Sequence, residues 1–195
     1  MCVNAVFNVK NYEYEIKQLI TEDVYNYKLF EMQKMSSSET IIQINYYYDT
    51  PEYEMFNNDK TIRVRLKNNG MKLECKFNSC YINNTRVCDE YSKPINYLPQ
   101  SVIIDHNTLL LIGCMTTIRT NFKFENYLIS FDKNYYLGKI DYEIEVESKT
   151  SISTPIQLLD IINGKLMTVG KYTRFISALK DMKKRDVYKV DNYYI

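Results

Sequence analysis

Charged residues alternate with apolar or aromatic residues in several short stretches of this chain, and this alternation limits the fold more than any other feature. "YEYEIK" at 12–17, "TIRVRLK" at 61–67 and "DYEIEVE" at 141–147 each carry full charges at every second position. Successive side chains on a β-strand point to opposite sides, so each stretch predicts a strand with one charged face and one apolar face. One such strand alone is typical of a sheet with a solvated face. Several of them along one chain need another explanation.

The two signs of charge are segregated among these predicted strands. Acidic residues dominate the first and the last strand, and basic residues dominate those between. The charged positions are Glu13, Glu15 and Lys17; Arg63, Arg65 and Lys67; Lys72, Glu74 and Lys76; Arg119 and Lys123; Asp132; and Glu143, Glu145 and Glu147. An ordinary solvated face carries scattered polar residues, so we interpret these strands as charged faces turned toward each other inside a closed sheet.

Charges inside a closed sheet are costly unless they neutralise a guest. Clustered carboxylates bind a divalent metal, and arginine and lysine side chains bind phosphate. A metal ion together with a polyphosphate is therefore the expected guest.

Turn and cap residues place the other elements. Thr21 predicts the N-cap of a helix that ends near the serines at 36–38. A strand over 41–49 should stop at Pro51, and Asn68-Asn69-Gly70 predicts a tight hairpin. Further helices are expected around 101–112, 154–163 and 171–183.

Composition excludes several classes of protein. The 195 residues contain 25 Lys and Arg against 24 Asp and Glu, so bulk charge would hold neither duplex nucleic acid nor an anionic membrane. Five cysteines without CxxC spacing favour a reduced interior and a cytoplasmic location. The chain shows no leader and no apolar run long enough to cross a bilayer, so no targeting or membrane segment is expected. A single domain over 1–195 is the simplest organisation.

Several of these stretches resemble one known family. "EYEIK" resembles the ExExK signature of CYTH domain proteins, the triphosphate tunnel metalloenzymes. "YYYDTPEYEMFNNDKTIRVRLKNNGMKLECK" is similar to that family's YYDTP turn, RxR strand and lysine strand. "TTIRTNFKF", "SFDKNYYLGKIDYEIEVE" and "GKYTRFISAL" then resemble its arginine, aspartate, paired-glutamate and C-terminal lysine segments, in the family's order. The resemblance covers about residues 10 to 180.

The resemblance implies an α+β fold: an eight-stranded antiparallel β-barrel that forms a triphosphate tunnel, with flanking helices. It implies that Mg²⁺ or Mn²⁺ is held by Glu13, Glu15, Asp132, Glu143 and Glu145. The implied substrate-binding residues are Lys17, Arg63, Arg65, Lys76, Arg119, Lys123 and Lys171. The implied catalytic residues are Glu13, Glu15, Lys17, Glu143 and Glu145, and any of the four glutamates could orient the attacking water.

The same resemblance leaves several functions open. A triphosphatase acting on inorganic triphosphate, thiamine triphosphate or a nucleoside triphosphate is favoured. The alternatives are a class IV adenylyl cyclase that makes cyclic AMP from ATP, a non-catalytic polyphosphate-binding module, and an RNA 5′-triphosphatase, which the neutral net charge disfavours. The expected partner is thus a small triphosphate-containing molecule, and the oligomeric state is open.

Conventional catalytic groups have weaker support in the sequence. There is no GxxxxGK[ST] loop. His106 lies in the predicted helix at 101–112 and is expected at the surface, whereas Cys75 falls on an apolar strand face and is expected in the core.

Overall fold

The computed structural model describes residues 2–4, 9–82, 85–149 and 169–191. The strands in these ranges are β1 Cys2–Asn4, β2 Val9–Ile20, β3 Ser38–Asp49, β4 Thr61–Lys67, β5 Gly70–Ile82, β6 Thr85–Ile95, β7 Ser101–Ile104, β8 Asn107–Phe124, β9 Tyr127–Tyr136 and β10 Lys139–Ser148. The helices are α1 Glu22–Met35, α2 Glu54–Asn57 and α3 Lys171–Asp191.

Eight of these strands close into a ring. Their order is β8-β3-β4-β5-β6-β2-β10-β9, and β9 pairs with β8 to complete the circle. Every pair in the ring is antiparallel. Outside the ring, β7 pairs with the start of β8, and β1 runs parallel to β7. The α+β fold with a closed antiparallel sheet is confirmed.

Local sequence explains the predicted hairpin between β4 and β5. Asn68 and Asn69 both adopt positive φ, at 49° and 62°, which a two-residue turn of this kind requires and asparagine tolerates. The turn sets Lys67 opposite Gly70, and this register places Arg63 opposite Glu74. The inward face of the hairpin therefore carries a cross-strand pair of arginine and glutamate.

The apolar core forms three clusters, two on the outer face of the ring and one, around α3, against the inward faces of β3 and β8. Helix α1 packs Tyr25 and Met32 against β9 and β10, and helix α3 packs Phe175 against β3 and β8. The third cluster contains Ile62 and Val64, which are fully buried under α2, β7 and the first part of β8. The ring strands thus turn apolar residues outward and most of their charged residues inward, but Tyr47 on β3 shares the inward face of Arg63 and lines the cavity.

The helix expected at 101–112 was wrong. Residues 101–104 form β7, Asp105 and His106 form a turn with positive φ, and β8 begins at Asn107. Val102 and Leu109 are fully buried over Ile62. Short apolar runs look alike in helices and strands, and pairing with β3 decided the outcome here.

Other predicted elements have clearer outcomes. Helix α1 begins after Thr21, whose hydroxyl accepts a hydrogen bond from the Val24 amide, and α3 covers the predicted 171–183 segment. The helix predicted at 154–163 lies outside the described residues. No helix within the described ranges is long and apolar enough to span a bilayer.

Helix α3 approaches the ring closely at one glycine. The pairing of β3 with β8 shifts register beside Tyr47, where Gly113 has φ of 144°. A Cβ at Gly113 would lie 2.7 Å from the Phe175 ring, so only glycine leaves space for the helix. This contact sets where the first turn of α3 meets the ring.

Candidate active site

The ring encloses a cavity of about 240 Å³ whose lining is dominated by charge. Its cations are Lys17, Arg63, Arg65, Lys76, Arg86, Arg119 and Lys171. Its carboxylates are Glu13, Glu15, Asp59, Glu74, Glu90, Glu145 and Glu147. Among the described residues, seven positive and seven negative groups leave the lining formally neutral, so a highly charged anion needs additional cations to be neutralised inside it.

Most of the residues proposed from the sequence meet at this cavity. Those that line it are Glu13, Glu15, Lys17, Arg63, Arg65, Lys76, Arg119, Glu145 and Lys171. Asp132 and Glu143 are completely buried beside it. Lys123 is exposed and does not line the cavity, because it lies four residues beyond Arg119 on β8, roughly 13 Å along the strand.

Four other charged positions on the predicted strands also have an outcome. Glu147 and Glu74 line the cavity, whereas Lys67 and Lys72 are exposed at the hairpin end of β4 and β5. Strand alternation assigns a side chain to a face but does not say where along the strand the cavity ends.

One side of the cavity, which we call the paired half, consists of β2, β4, β5 and β6 and matches carboxylates with nearby cations. Arg63 donates from Nε to Glu74 at 2.8 Å, and Arg86 donates to Glu15 at 2.8 Å. Lys76 contacts Glu13. Burial opposes ionisation of Glu74, but Arg65 and Arg63 lower the pKa of Glu74 to about 2.

Lysine and arginine remain charged in this half. Burial alone would lower the pKa of Lys76, but Glu13 and Glu15 raise it. Arg65 is the more open guanidinium: its side chain is 21% exposed, and it donates from Nε to the Asn45 side chain at 3.0 Å. These cations are available to an anion in the cavity at neutral pH.

The opposite side, which we call the clustered half, consists of β8, β9, β10 and the first turn of α3. One oxygen from each of Asp132, Glu143 and Glu145 lies within 4.8 Å of the others. The Lys171 Nζ lies 2.7 Å from Asp132 and 2.9 Å from Glu145, and it also contacts Glu143. One ammonium group is thus shared by three buried carboxylates.

Two arginines complete the clustered half. Arg119 makes a two-pronged contact with Asp132, at 2.7 and 2.6 Å, and also contacts Glu145. Arg174 donates to Glu143 at 3.0 Å and to Asp141 at 2.8 Å. Burial opposes ionisation of Asp132, yet Arg119 and Lys171 hold its pKa below the ordinary value.

Lys17 joins the two halves. Its Nζ lies 3.0 Å from Glu15 in the paired half and 3.7 Å from Glu145 in the clustered half. The register of β2 with β10, which sets Lys17 opposite Glu145 and Glu15 opposite Glu147, produces this arrangement.

The donor atoms of the clustered half fit a hard divalent cation. Mg²⁺ and Mn²⁺ prefer carboxylate oxygens, and all three clustered donors are of this kind. Glu13 and Glu15 lie outside this three-carboxylate group, although they line the same cavity. The five carboxylates expected to bind metal therefore divide between the two halves, and a metal role for Glu13 and Glu15 stays a prediction.

The sequence analysis missed several charged residues of the site, among them Asp59, which lies between α2 and β4 and lines the cavity. Arg86 and Glu90 lie on β6 and line the cavity, and Arg174 lies on α3. Arg86 and Glu90 lie on the same face of the strand "TRVCDEYSK". They carry opposite charges and the uncharged Cys88 lies between them, so this strand shows no row of like charges. Arg174 follows helical spacing from Lys171, which strand-based reasoning does not detect.

Two further groups, one in the cavity wall and one buried beside it, have unusual environments. Burial raises the pKa of the Glu147 carboxyl to about 7, and Arg119, at 3.4 Å, only partly offsets this. The Cys88 sulfur lies 3.6 Å from Glu13, and burial raises the pKa of the thiol to about 12. Cys88 is therefore protonated at neutral pH and is not a nucleophile.

A buried contact holds α3 in place next to this site. The Asp49 carboxylate accepts hydrogen bonds from the backbone amides of Thr50, Met55 and Phe56 and from the Tyr172 hydroxyl at 2.5 Å. Tyr172 adjoins Lys171, so this contact fixes the backbone from which the Lys171 side chain extends.

Comparison with known proteins identifies the family of this chain. The family model for the CYTH domain matches residues 11–163. The chain belongs to the CYTH domain family. YjbK of Bacillus subtilis, a proposed triphosphatase, is 25% identical over 147 residues, which are 70% of this chain and 77% of YjbK.

Solved structures share the fold. A proposed adenylate cyclase of Bacillus halodurans superposes with a TM-score of 0.69 at 20% identity, over 85% of this chain and 98% of that one. HpAC1 of Hippeastrum, a proposed adenylyl cyclase with a dominant triphosphatase activity, gives a TM-score of 0.67 at 18% identity, over 85% of this chain and 95% of that one. These likenesses establish the CYTH fold.

Proposed function

We propose that this CYTH protein is a divalent-metal-dependent triphosphatase that hydrolyses a small triphosphate inside the ring. The observation that carries the proposal is the division of the cavity into a half rich in accessible cations and a half with three clustered carboxylates. A triphosphate bound with a metal ion requires both kinds of group on facing walls.

The cations of the paired half bind the phosphate groups of the substrate. Arg63 meets Glu74 through Nε, and a guanidinium has further donors that suit phosphate oxygens. Arg65, Lys76 and Arg86 line the same wall. These groups hold the triphosphate in one orientation and offset charge that grows on its oxygens as the anhydride bond breaks.

The clustered half, with Asp132, Glu143 and Glu145, would hold the metal. When bound, the metal supplies Lewis-acid stabilisation of the phosphoryl oxygens. The chain itself contributes carboxylates that fix the metal and can orient water, with Glu145 the clustered carboxylate that also lines the cavity. No covalent nucleophile is needed for this reaction.

The fold and the relatives support a triphosphatase, and the identity of the triphosphate is decided by assay. Purified protein is incubated with inorganic triphosphate, thiamine triphosphate, ATP or RNA 5′-ends, each with Mg²⁺, Mn²⁺ or excess chelator. We expect phosphate release from at least one small triphosphate, and no release with chelator. Arg65→Ala should suppress the rate, whereas Lys67→Ala, on the same strand but exposed outside the cavity, should not.

Other products would assign another function. Cyclic AMP from ATP would make the protein a cyclase. Tight, metal-dependent retention of triphosphate without turnover would make it a binding module. Release from RNA ends alone would place its substrate among polynucleotides.

A further inference from the structure

The Lys171 side chain lies at the centre of the three-carboxylate group. Its ammonium is within 2.9 Å of Asp132 and Glu145 and contacts Glu143. The Lys171 side chain is 8% exposed, and Asp132 and Glu143 are not exposed at all. An ammonium has three N–H donors, so these carboxylates can take all of them.

A divalent cation bound to the same oxygens would need the same space. The three oxygens lie within 4.8 Å of one another, and Mg²⁺ binds oxygen at about 2.0–2.1 Å. An ion held by all three would therefore lie within a few ångströms of the Lys171 nitrogen. Two cations at that separation in a buried site repel each other strongly.

Lys171 has an alternative position available without movement of its backbone. It lines the cavity together with Gly170 and Thr173, so its side chain already borders the space in which an anion would lie. The backbone at this point is held by the Tyr172 hydrogen bond to Asp49 and by the packing of Phe175 at Gly113. A lysine has four rotatable side-chain bonds, so rotamer changes alone can carry its ammonium from the carboxylates into the cavity.

We propose that Lys171 and a divalent cation compete for Asp132, Glu143 and Glu145, and that metal binding moves the Lys171 ammonium into the cavity, where it binds phosphate. This inference rests on the proposed metal-dependent function. It makes metal and triphosphate binding mutually reinforcing, because the metal releases a cation that the triphosphate then uses, and such coupling is reciprocal. Lys171 is thus both an internal counter-ion and a phosphate ligand.

The first test uses metal alone. Mn²⁺ affinity is measured by titration calorimetry for the wild type, Lys171→Met and Lys17→Met without any triphosphate. Lys17 is the matched control, because it is also 8% exposed and lies in the same cavity but does not occupy the three-carboxylate centre. We expect Lys171→Met to bind Mn²⁺ at least about tenfold tighter than the wild type, and Lys17→Met to change the affinity by less than about threefold.

Equal tightening in the two variants would show a general effect of net charge and would overturn the proposal. Weaker Mn²⁺ binding by folded Lys171→Met would overturn it as well. If the wild type bound no Mn²⁺ or Mg²⁺ at all, the proposed metal-dependent function itself would fail. Metal binding by the wild type without the difference between variants would contradict only the competition.

A second measurement uses the unmodified chain, in case Lys171→Met does not fold. Lysines are reductively methylated with and without saturating Mg²⁺, and the modification at each lysine is quantified by mass spectrometry. We expect Mg²⁺ to increase methylation of Lys171 relative to the exposed Lys139, with no comparable increase at Lys17. Unchanged or decreased modification of Lys171 in protein that binds Mg²⁺ would contradict the proposal.

Discussion

The two halves of the cavity use the same residue types in different ways. In the paired half, Glu13, Glu15 and Glu74 each have a close cation on another strand. In the clustered half, Lys171 and Arg119 are each shared by more than one carboxylate. Separate ion pairs can open one at a time to admit an anion. A cation shared by several carboxylates instead marks a concentrated negative charge, which suits a metal ion.

The outer face of the ring provides the contrast to both halves, and breaking it should have the largest effect. Ile62→Lys places an unpaired charge in a fully buried apolar cluster, so we expect a loss of about 4 kcal/mol in unfolding free energy or failure to fold. Chemical denaturation measures this. Ile42→Lys is the control, because Ile42 lies on β3 with 62% exposure and should cost little. Equal losses in both variants would show that the cost does not come from burial in the apolar cluster around Ile62.

Removing a carboxylate from the clustered half should weaken metal binding and slow turnover. We expect Glu145→Gln to reduce turnover by at least about a hundredfold and to raise the metal concentration needed for half-maximal rate, because it removes charge from the three-carboxylate group. Triphosphatase assays over a metal titration measure both quantities. Glu39→Gln, at an exposed position on β3, should behave as the wild type. If folded Glu145→Gln kept a near-native rate and metal dependence, the assignment of the metal to the clustered half would be contradicted.

Substituting a cation of the paired half should instead lower kcat/KM for the triphosphate. Arg65→Lys retains charge but loses the planar fork, so we expect a loss of about 1 to 3 kcal/mol in transition-state stabilisation without a change in metal dependence. The ratio kcat/KM, measured at saturating metal, reports this loss. A shift in metal requirement equal to that of Glu145→Gln would show that the two halves do not have separate roles.

The smallest expected effect is the pH dependence of one ion pair. The pKa of Glu74 falls from an ordinary value near 4.5 to about 2 in the folded protein, so its contribution is complete above pH 4.5 and is lost as pH falls toward 2. Glu74→Gln should remove up to about 3 kcal/mol of stability at pH 7 and weaken the decline over that range. Denaturation at several pH values measures this, with exposed Glu125→Gln as the control. An unchanged decline in Glu74→Gln would assign the acid sensitivity to other carboxylates, such as Asp132 in the clustered half.

The sequence by itself determined which face points inward on the strands where charged and apolar residues alternate. Alternation with a period of two is a local property of strand geometry, so Glu13, Glu15, Arg63 and Arg65 could be assigned to one interior before any contact was known. Turn residues such as Asn68 and Asn69 were equally informative, because positive φ is a requirement of the turn itself.

Only the tertiary structure decided which charges meet and how far the cavity extends. The register between β2 and β10 brings Lys17 to Glu145, and the docking of α3 at Gly113 delivers Lys171 to carboxylates on two other strands. Lys123 shares the strand face of Arg119 yet lies outside the cavity. Arg86 lines the cavity, although the sequence did not predict it as a site residue. These outcomes depend on pairing between segments distant in sequence, and local periodicity contains no information about the partner or the depth at which a side chain lies.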